Sequence, residues 1–150
     1  MRDADDITAA DPIRRYGVVA VILRAERFLV IRRSQQVAAP GKYCFPGGGI
    51  ESGETESVAL ERELLEELNV PIVPQHCLWQ SVTPWRVALS WWLAELPAGL
   101  EPTPTPAEVE SIHWLTAAEM AALPELLESN HHFLAAWRDG VIRLPIEPVV

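Results

Sequence analysis

GGGIESGETESVALERELLEELNV, residues 47–70, is the stretch that decides how this chain folds. It opens on three glycines and then sets seven glutamates (Glu51, Glu54, Glu56, Glu61, Glu63, Glu66 and Glu67) against a single arginine, Arg62. The apolar residues then recur at helical spacing, and Pro71 and Pro74 block continuation, which predicts a helix over about 55–68. At about 100° per residue, Glu63, Glu66 and Glu67 fall within an arc of roughly 100°. Leu60, Leu64, Leu65 and Leu68 point to the other side. One face is therefore apolar and docks on a core, while the other carries carboxylates at close range. Like charges at this spacing destabilise a helix by roughly 0.2–0.5 kcal/mol per pair. Mg²⁺ or Mn²⁺ binds clusters of hard oxygen ligands, and a cation would offset the repulsion. A glutamate-rich helix can also be a plain solvated face, so the spacing has to decide.

The order is Gly48, five residues, Glu54, seven residues, then Arg62-Glu63-Leu64-Leu65-Glu66-Glu67-Leu68-Asn69-Val70. It resembles the Nudix box, Gx5Ex7REUxEExGU with U aliphatic, at every fixed position but one. Asn69 stands where the family has Gly. That residue ends the helix in a left-handed conformation, which Asn accepts best after Gly. The resemblance implies an α/β fold, the Nudix-type α/β/α sandwich with a mixed central sheet. It also implies hydrolysis of phosphoric anhydrides with Mg²⁺ or Mn²⁺ as cofactor. Glu63 and Glu67 match the family's metal ligands, Glu66 is a further one, and the carbonyl of Gly47 or Gly48 adds another. Arg62 is expected to orient Glu66 or Glu67 by a salt bridge, and Glu54 to brace the loop or the helix. The general base varies in this family; Glu63 is the first choice and Glu66 the next. Glu108 or Glu110 would supply a base or an extra ligand, unless both are solvated loop acids.

Composition narrows the function classes. The chain has 150 residues, enough for one domain with a real core. No apolar run approaches the roughly 20 residues of a membrane span. No charged start leads into an apolar stretch, so no signal peptide is expected and the cytoplasm is the default. Cys44 and Cys77 lack metal-site spacing and read as small buried residues. The net charge of −9 argues against a nucleic-acid polymer as partner. About two thirds of it comes from residues 51–67 alone, so the acidity is local. An anionic substrate would approach only together with its cations.

Along the chain, residues 1–12 read as a mobile tail, with one hydrolase domain over 13–150. Tyr16–Arg24 and Phe28–Arg33 are β-branched strands that form a hairpin. Arg32 and Arg33 close it shortly before the glutamate stretch. Either could hold a phosphate or a base by forked hydrogen bonds, or simply sit in solvent. Tyr43–Phe45 is a short extended piece, and Pro46 with the three glycines predicts an irregular turn that lets backbone approach a ligand. Gln75–Thr83 and Arg86–Leu96 are strands around a Thr83-Pro84-Trp85 turn. Trp79, Trp91 and Trp92 are expected in the core, and Trp85 is the candidate to stack on a base. A proline-rich loop spans 97–106, a strand Ser111–Leu115, and helices follow over about 117–123 and 129–138. The order β-β-(β)-α-β-β-β-α-α agrees with the sandwich.

The flanks, not the box, choose the substrate. FLVIRR (28–33), FPGGGIE (45–51), RVALSWWLAEL (86–96), the acid-then-Trp pattern ending at Trp114 and ESNHHFLAAW (128–137) make the whole chain similar to the MutT-like branch. That branch cleaves nucleoside triphosphates, including purine and oxidised forms, to a monophosphate and pyrophosphate. In it an Asn near Asn130 can read the purine edge, which makes Asn130 a base reader with Arg33, unless Ser129 or Asn130 only caps a helix. The rival reading is a hydrolase of dinucleotides or nucleotide sugars such as ADP-ribose, pointed to by Pro84 beyond the box. A non-catalytic nucleotide-binding module should show a broken REUxEE, and this one is intact. A monomer and a homodimer are equally compatible with the sequence.

Overall fold

The computed structural model describes residues 11–148. In chain order the elements are β1 (Arg15–Arg24), β2 (Arg27–Arg33), β3 (Tyr43–Cys44), β4 (Gly47–Gly49), α1 (Glu56–Leu68), β5 (Val73–Val82), β6 (Val87–Glu95), β7 (Val109–Leu115), α2 (Ala117–Ala121) and α3 (Glu128–Arg138).

The β1–β2 hairpin is the hinge of the architecture. Ala25 and Glu26 turn it with φ of 50° and 62°, the left-handed pair a tight two-residue hairpin turn requires. Only Leu23 opposite Phe28 and Arg24 opposite Arg27 pair across it. Beyond that the strands diverge. β1 runs parallel to β6 and antiparallel to β4, and β5 forms the outer edge beside β6. β2 runs between β3 and β7, antiparallel to both. The two halves splay apart, and the segment 43–49 crosses from one to the other. The triple glycine is therefore not an irregular turn. It is a short strand opposite Gly17–Val19, possible because the edge of β1 is free once β2 has left it.

Helices cover both faces, giving the expected α/β sandwich around a mixed sheet. On one face Leu60, Leu64 and Leu68 of α1 are fully buried against Val18, Ile22, Leu29 and Ile31. Each such leucine contributes about 1.5–3 kcal/mol of burial. Leu65 does not join them and is half exposed; it lies about 100° from the centre of the stripe, at Leu64. On the other face α3 brings Phe133 and Trp137 onto Phe28, Phe45 and Trp91, with the Trp91 and Phe133 rings stacked at 5.0 Å. Trp79 and Trp92 are partly buried, and Trp85 stands exposed on the β5–β6 turn.

Several expectations change. Cys44 is buried, but Cys77 is exposed, because β5 is an edge strand whose register shifts between Cys77 and Trp79. Residues 1–10 of the expected tail lie outside the described residues, while Asp11 is tied down by Arg86 Nη2, which donates to its carbonyl at 2.6 Å. The N-cap of α3 is Leu127, with no side-chain cap, so neither Ser129 nor Asn130 caps it. Among the described residues no helix is long and apolar enough to cross a membrane.

Candidate active site

The order of burial among the three box glutamates follows from the helix together with β4, which covers Glu63 at Gly48. Glu67 lies about 60° from the centre of the leucine stripe, Glu63 about 100° and Glu66 about 160°. Glu67 is accordingly only 6% exposed, the Glu63 side chain is 14% exposed and that of Glu66 49%.

β4 supplies the wall opposite α1. The Gly47 N–H donates to Glu67 Oε1 at 3.0 Å. A Cβ on Gly47 would run into the Val18 carbonyl, and one on Gly48 would overlap the Glu63 carboxyl. Two glycines are thus what let the buried carboxylates lie against a paired strand.

Arg62 ties the surrounding acids. It forks onto Glu54 through Nε (2.7 Å) and Nη2 (2.8 Å), donates from Nη2 to the Gly49 carbonyl at 2.9 Å, and from Nη1 to Glu63 at 3.1 Å and Glu66 at 3.2 Å. The expected salt bridge therefore goes to Glu66, with Glu63 and Glu54 added, and Glu67 is left to the Gly47 N–H. Glu54 also accepts the Glu51 N–H at 2.8 Å, which closes the loop between β4 and α1. These bonds with Arg62 hold the Glu54 carboxyl down at about 2, while Arg62 is pushed above its ordinary value, first by Glu54.

The buried acids shift the other way. Burial first, then the Glu63 charge, pushes Glu67 up to about 8; the Gly47 bond opposes this and Glu108 adds to it. Glu63 is raised by burial, opposed by Arg62, with Glu66 and Glu108 pushing further. Glu108, just before β7, is near enough for its charge to act on both. Glu110 instead pairs with Arg32 at 3.3 Å. Alternation along β2 puts the two arginines on opposite faces, and the register shift in the β2–β7 pairing at Arg32/Arg33 leaves Glu110 on the Arg32 side. Arg32 lies over the Tyr43 ring and bonds the Gly41 carbonyl. Arg33 points to the α1 side, where its charge lowers both Glu67 and the buried Cys44, and its Nε bonds the Ala38 carbonyl at 2.6 Å.

Asn130 sits across the crossover segment on α3. It is 3% exposed, its Oδ1 accepts the Phe45 N–H at 3.0 Å, and its Nδ2 donates to Ser129 Oγ at 3.3 Å. Trp85 stands apart on its turn. His131 lines a groove between α2 and α3, and His132 pairs with Glu128.

Among the described residues no three His, Cys, Asp or Glu side chains already form a metal cage. Glu63 and Glu66 are occupied by Arg62 and Glu67 by Gly47. Yet the donor set suits a hard divalent cation: four carboxylates, three of them on one helix face, with Glu63 and Glu67 raised first by burial and then by neighbouring carboxylates. A cation supplies the positive charge that their repulsion lacks.

The family profile of the NUDIX domain matches residues 13–137. The chain belongs to the Nudix family. The box glutamates, Arg62 and the Gly47–Gly49 strand are its Nudix motif as folded here. An NAD-capped RNA hydrolase, NudC, of Stutzerimonas stutzeri is 29% identical over 108 residues, 72% of this chain but 38% of the relative's length. The 8-oxo-dGTP diphosphatase of Escherichia coli K12 is 39% identical over 66 residues, 43% of this chain and 50% of that one. The chain thus spans half or less of either relative. Among solved structures, a MutT NUDIX hydrolase from Burkholderia pseudomallei superposes with a TM-score of 0.64 at 26% identity, covering 79% of this chain and 93% of that one.

One contributor had no signal in the sequence. The proline-rich loop closes onto the end of α1 through Thr103 and Thr105, where only a connection was expected.

Proposed function

We propose that this Nudix protein is a divalent-metal-dependent pyrophosphohydrolase of nucleoside triphosphates, giving a nucleoside monophosphate and pyrophosphate. The carrying observation is the packing of Glu63 and Glu67 against the Gly47–Gly49 strand, with Glu66 and Glu108 as neighbouring acids, Arg62 bonded to Glu63 and Glu66, and Arg33 the positive charge acting on Glu67.

Glu63, Glu66, Glu67 and the Gly47 carbonyl would hold Mg²⁺ or Mn²⁺, with Glu108 as a further ligand. When bound, the metal cancels the charge of the phosphate chain and acidifies water. Glu63 takes the proton from the attacking water; burial raises its proton affinity above that of a free carboxylate. Glu66 is the alternative base, being the most exposed of the three. Arg62 keeps Glu63 and Glu66 in place rather than touching substrate. Arg33 donates to a phosphate oxygen through its fork. Asn130 selects the base through the second hydrogen of Nδ2, the one that its bonds to Phe45 and Ser129 leave over, favouring purines. Arg32, paired with Glu110 on the other side of the strand, takes no part in this reading.

A second reading is a hydrolase of dinucleotides such as ADP-ribose, favoured by the NudC-like match. There Trp85 and the Pro84 turn would meet the second base. Product analysis separates the two: a triphosphate would yield pyrophosphate, a dinucleotide two monophosphates.

A further inference from the structure

The last carbonyls of any α-helix lack partners within the helix. In α1 they belong to the residues that carry the site, and the proline-rich loop satisfies them. Thr103 N–H donates to the Leu68 carbonyl at 2.9 Å and Thr105 N–H to the Glu67 carbonyl at 2.9 Å. Thr105 Oγ1 donates to the Glu66 carbonyl at 2.5 Å. The alternation of Pro102, Thr103, Pro104, Thr105 and Pro106 explains how. The prolines fix φ and have no N–H, so the two threonines alone present donors to the helix end.

Asn69 grips the same strap. Its backbone is left-handed, φ 56° and ψ 33°, as the family's glycine would be. Its amide does what glycine cannot: Nδ2 donates to the Thr103 carbonyl at 2.9 Å, with Thr103 Oγ1 at 3.3 Å and Thr105 Oγ1 at 3.4 Å. Thr105 then passes the constraint on, since its carbonyl accepts the N–H groups of Glu108 and Val109, both at 2.9 Å.

We propose that Asn69 and Thr105 form a clasp that positions Glu66, Glu67 and Glu108 relative to one another for the divalent cation; this rests on the metal-dependent reading above. The clasp joins two segments whose carboxylates repel. It holds Glu108 against α1 before the cation arrives, so that less ordering is left to binding. Both are positioning residues, and neither contacts the metal. The single departure from the Nudix box is thus the residue that secures the strap.

The test compares Asn69→Gly, Thr105→Val and Thr105→Ser with the parent protein. Mn²⁺ binding is titrated without substrate by electron paramagnetic resonance, and the metal-free thermal midpoint is measured in parallel. Glycine keeps the left-handed end of the helix, so Asn69→Gly should fold. The clasp predicts a Mn²⁺ Kd raised about tenfold in Asn69→Gly and in Thr105→Val, the low end for loss of a group that orients a ligand. Thr105→Ser, which keeps the hydroxyl, should bind like the parent. The double variant should fall short of the product of the two losses, because both break one device. A lowered thermal midpoint with unchanged Mn²⁺ affinity would overturn the clasp and leave only a structural strap. No Mn²⁺ binding by the parent itself would overturn the metal reading and the clasp together.

Discussion

Glu67 Oε1 accepts the N–H of Gly47 at 3.0 Å, across 20 residues of chain. This bond joins the Nudix helix to the glycine strand and fixes the most buried carboxylate of the site. Glu67→Gln keeps an acceptor for that bond and removes the charge. It should lower kcat/KM by roughly a hundredfold or more, since even groups one step removed from a metal cost 10–100-fold. Circular dichroism should show an intact fold. Hydrolysis at the parent rate would mean that Glu67 is not a ligand.

The same burial makes a statement about pH. Glu67 is raised from 4.5 to about 8 in the fold, so the folded chain keeps a proton that the unfolded chain gives up. Its contribution to stability is complete below about 4.5 and is lost as pH rises through about 8. Metal-free protein should therefore lose stability between about pH 5 and 8, on the order of a few kcal/mol, and Mg²⁺ should restore it at the upper end. Glu54, held at about 2, acts in the opposite sense. Its contribution is present above the ordinary carboxylate range and lost as pH falls toward 2, so it stays silent across this window. Thermal midpoints with EDTA and with Mg²⁺ check this; a metal-free midpoint that climbs toward pH 8 would contradict it.

Arg62 is the hub of the acid-rich loop. Arg62→Lys keeps the charge and loses the fork onto Glu54 and the bond to the Gly49 carbonyl. A lower midpoint in denaturant unfolding is expected, because an ammonium cannot reproduce the two-pronged geometry. A change within error would show that the fork is replaceable.

The box was legible because carboxylates gathered on about one turn of helix must be written close together in the sequence. Its spacing gave the helix, its buried face and the acids, and the β-branched runs gave the strands. What was not legible lies where distant segments meet. The β4 pairing needs β2 to peel away from β1, which no local pattern shows. The division of labour between Arg32 and Arg33 is set by strand faces, and that between Glu108 and Glu110 by the register shift where β7 begins. Thr105 carries no signal at all, since its role exists only against the end of α1.

Asn130 offers a contrast between structure and specificity. Asn130→Ala leaves the buried Phe45 N–H without its acceptor and should cost about 1–3 kcal/mol. Asn130→Asp keeps the acceptor and loses the amide donor, so it should shift the ratio of kcat/KM between purine and pyrimidine triphosphates. An unchanged ratio in Asn130→Asp would leave Asn130 with only its bond to Phe45.

The most direct test is a substrate panel on the purified protein with Mg²⁺, reading phosphate products: ordinary and 8-oxo purine triphosphates, pyrimidine triphosphates, ADP-ribose and NADH. The account predicts monophosphate plus pyrophosphate from the triphosphates, abolished by EDTA. Two monophosphates from ADP-ribose or NADH, with the triphosphates untouched, would contradict it.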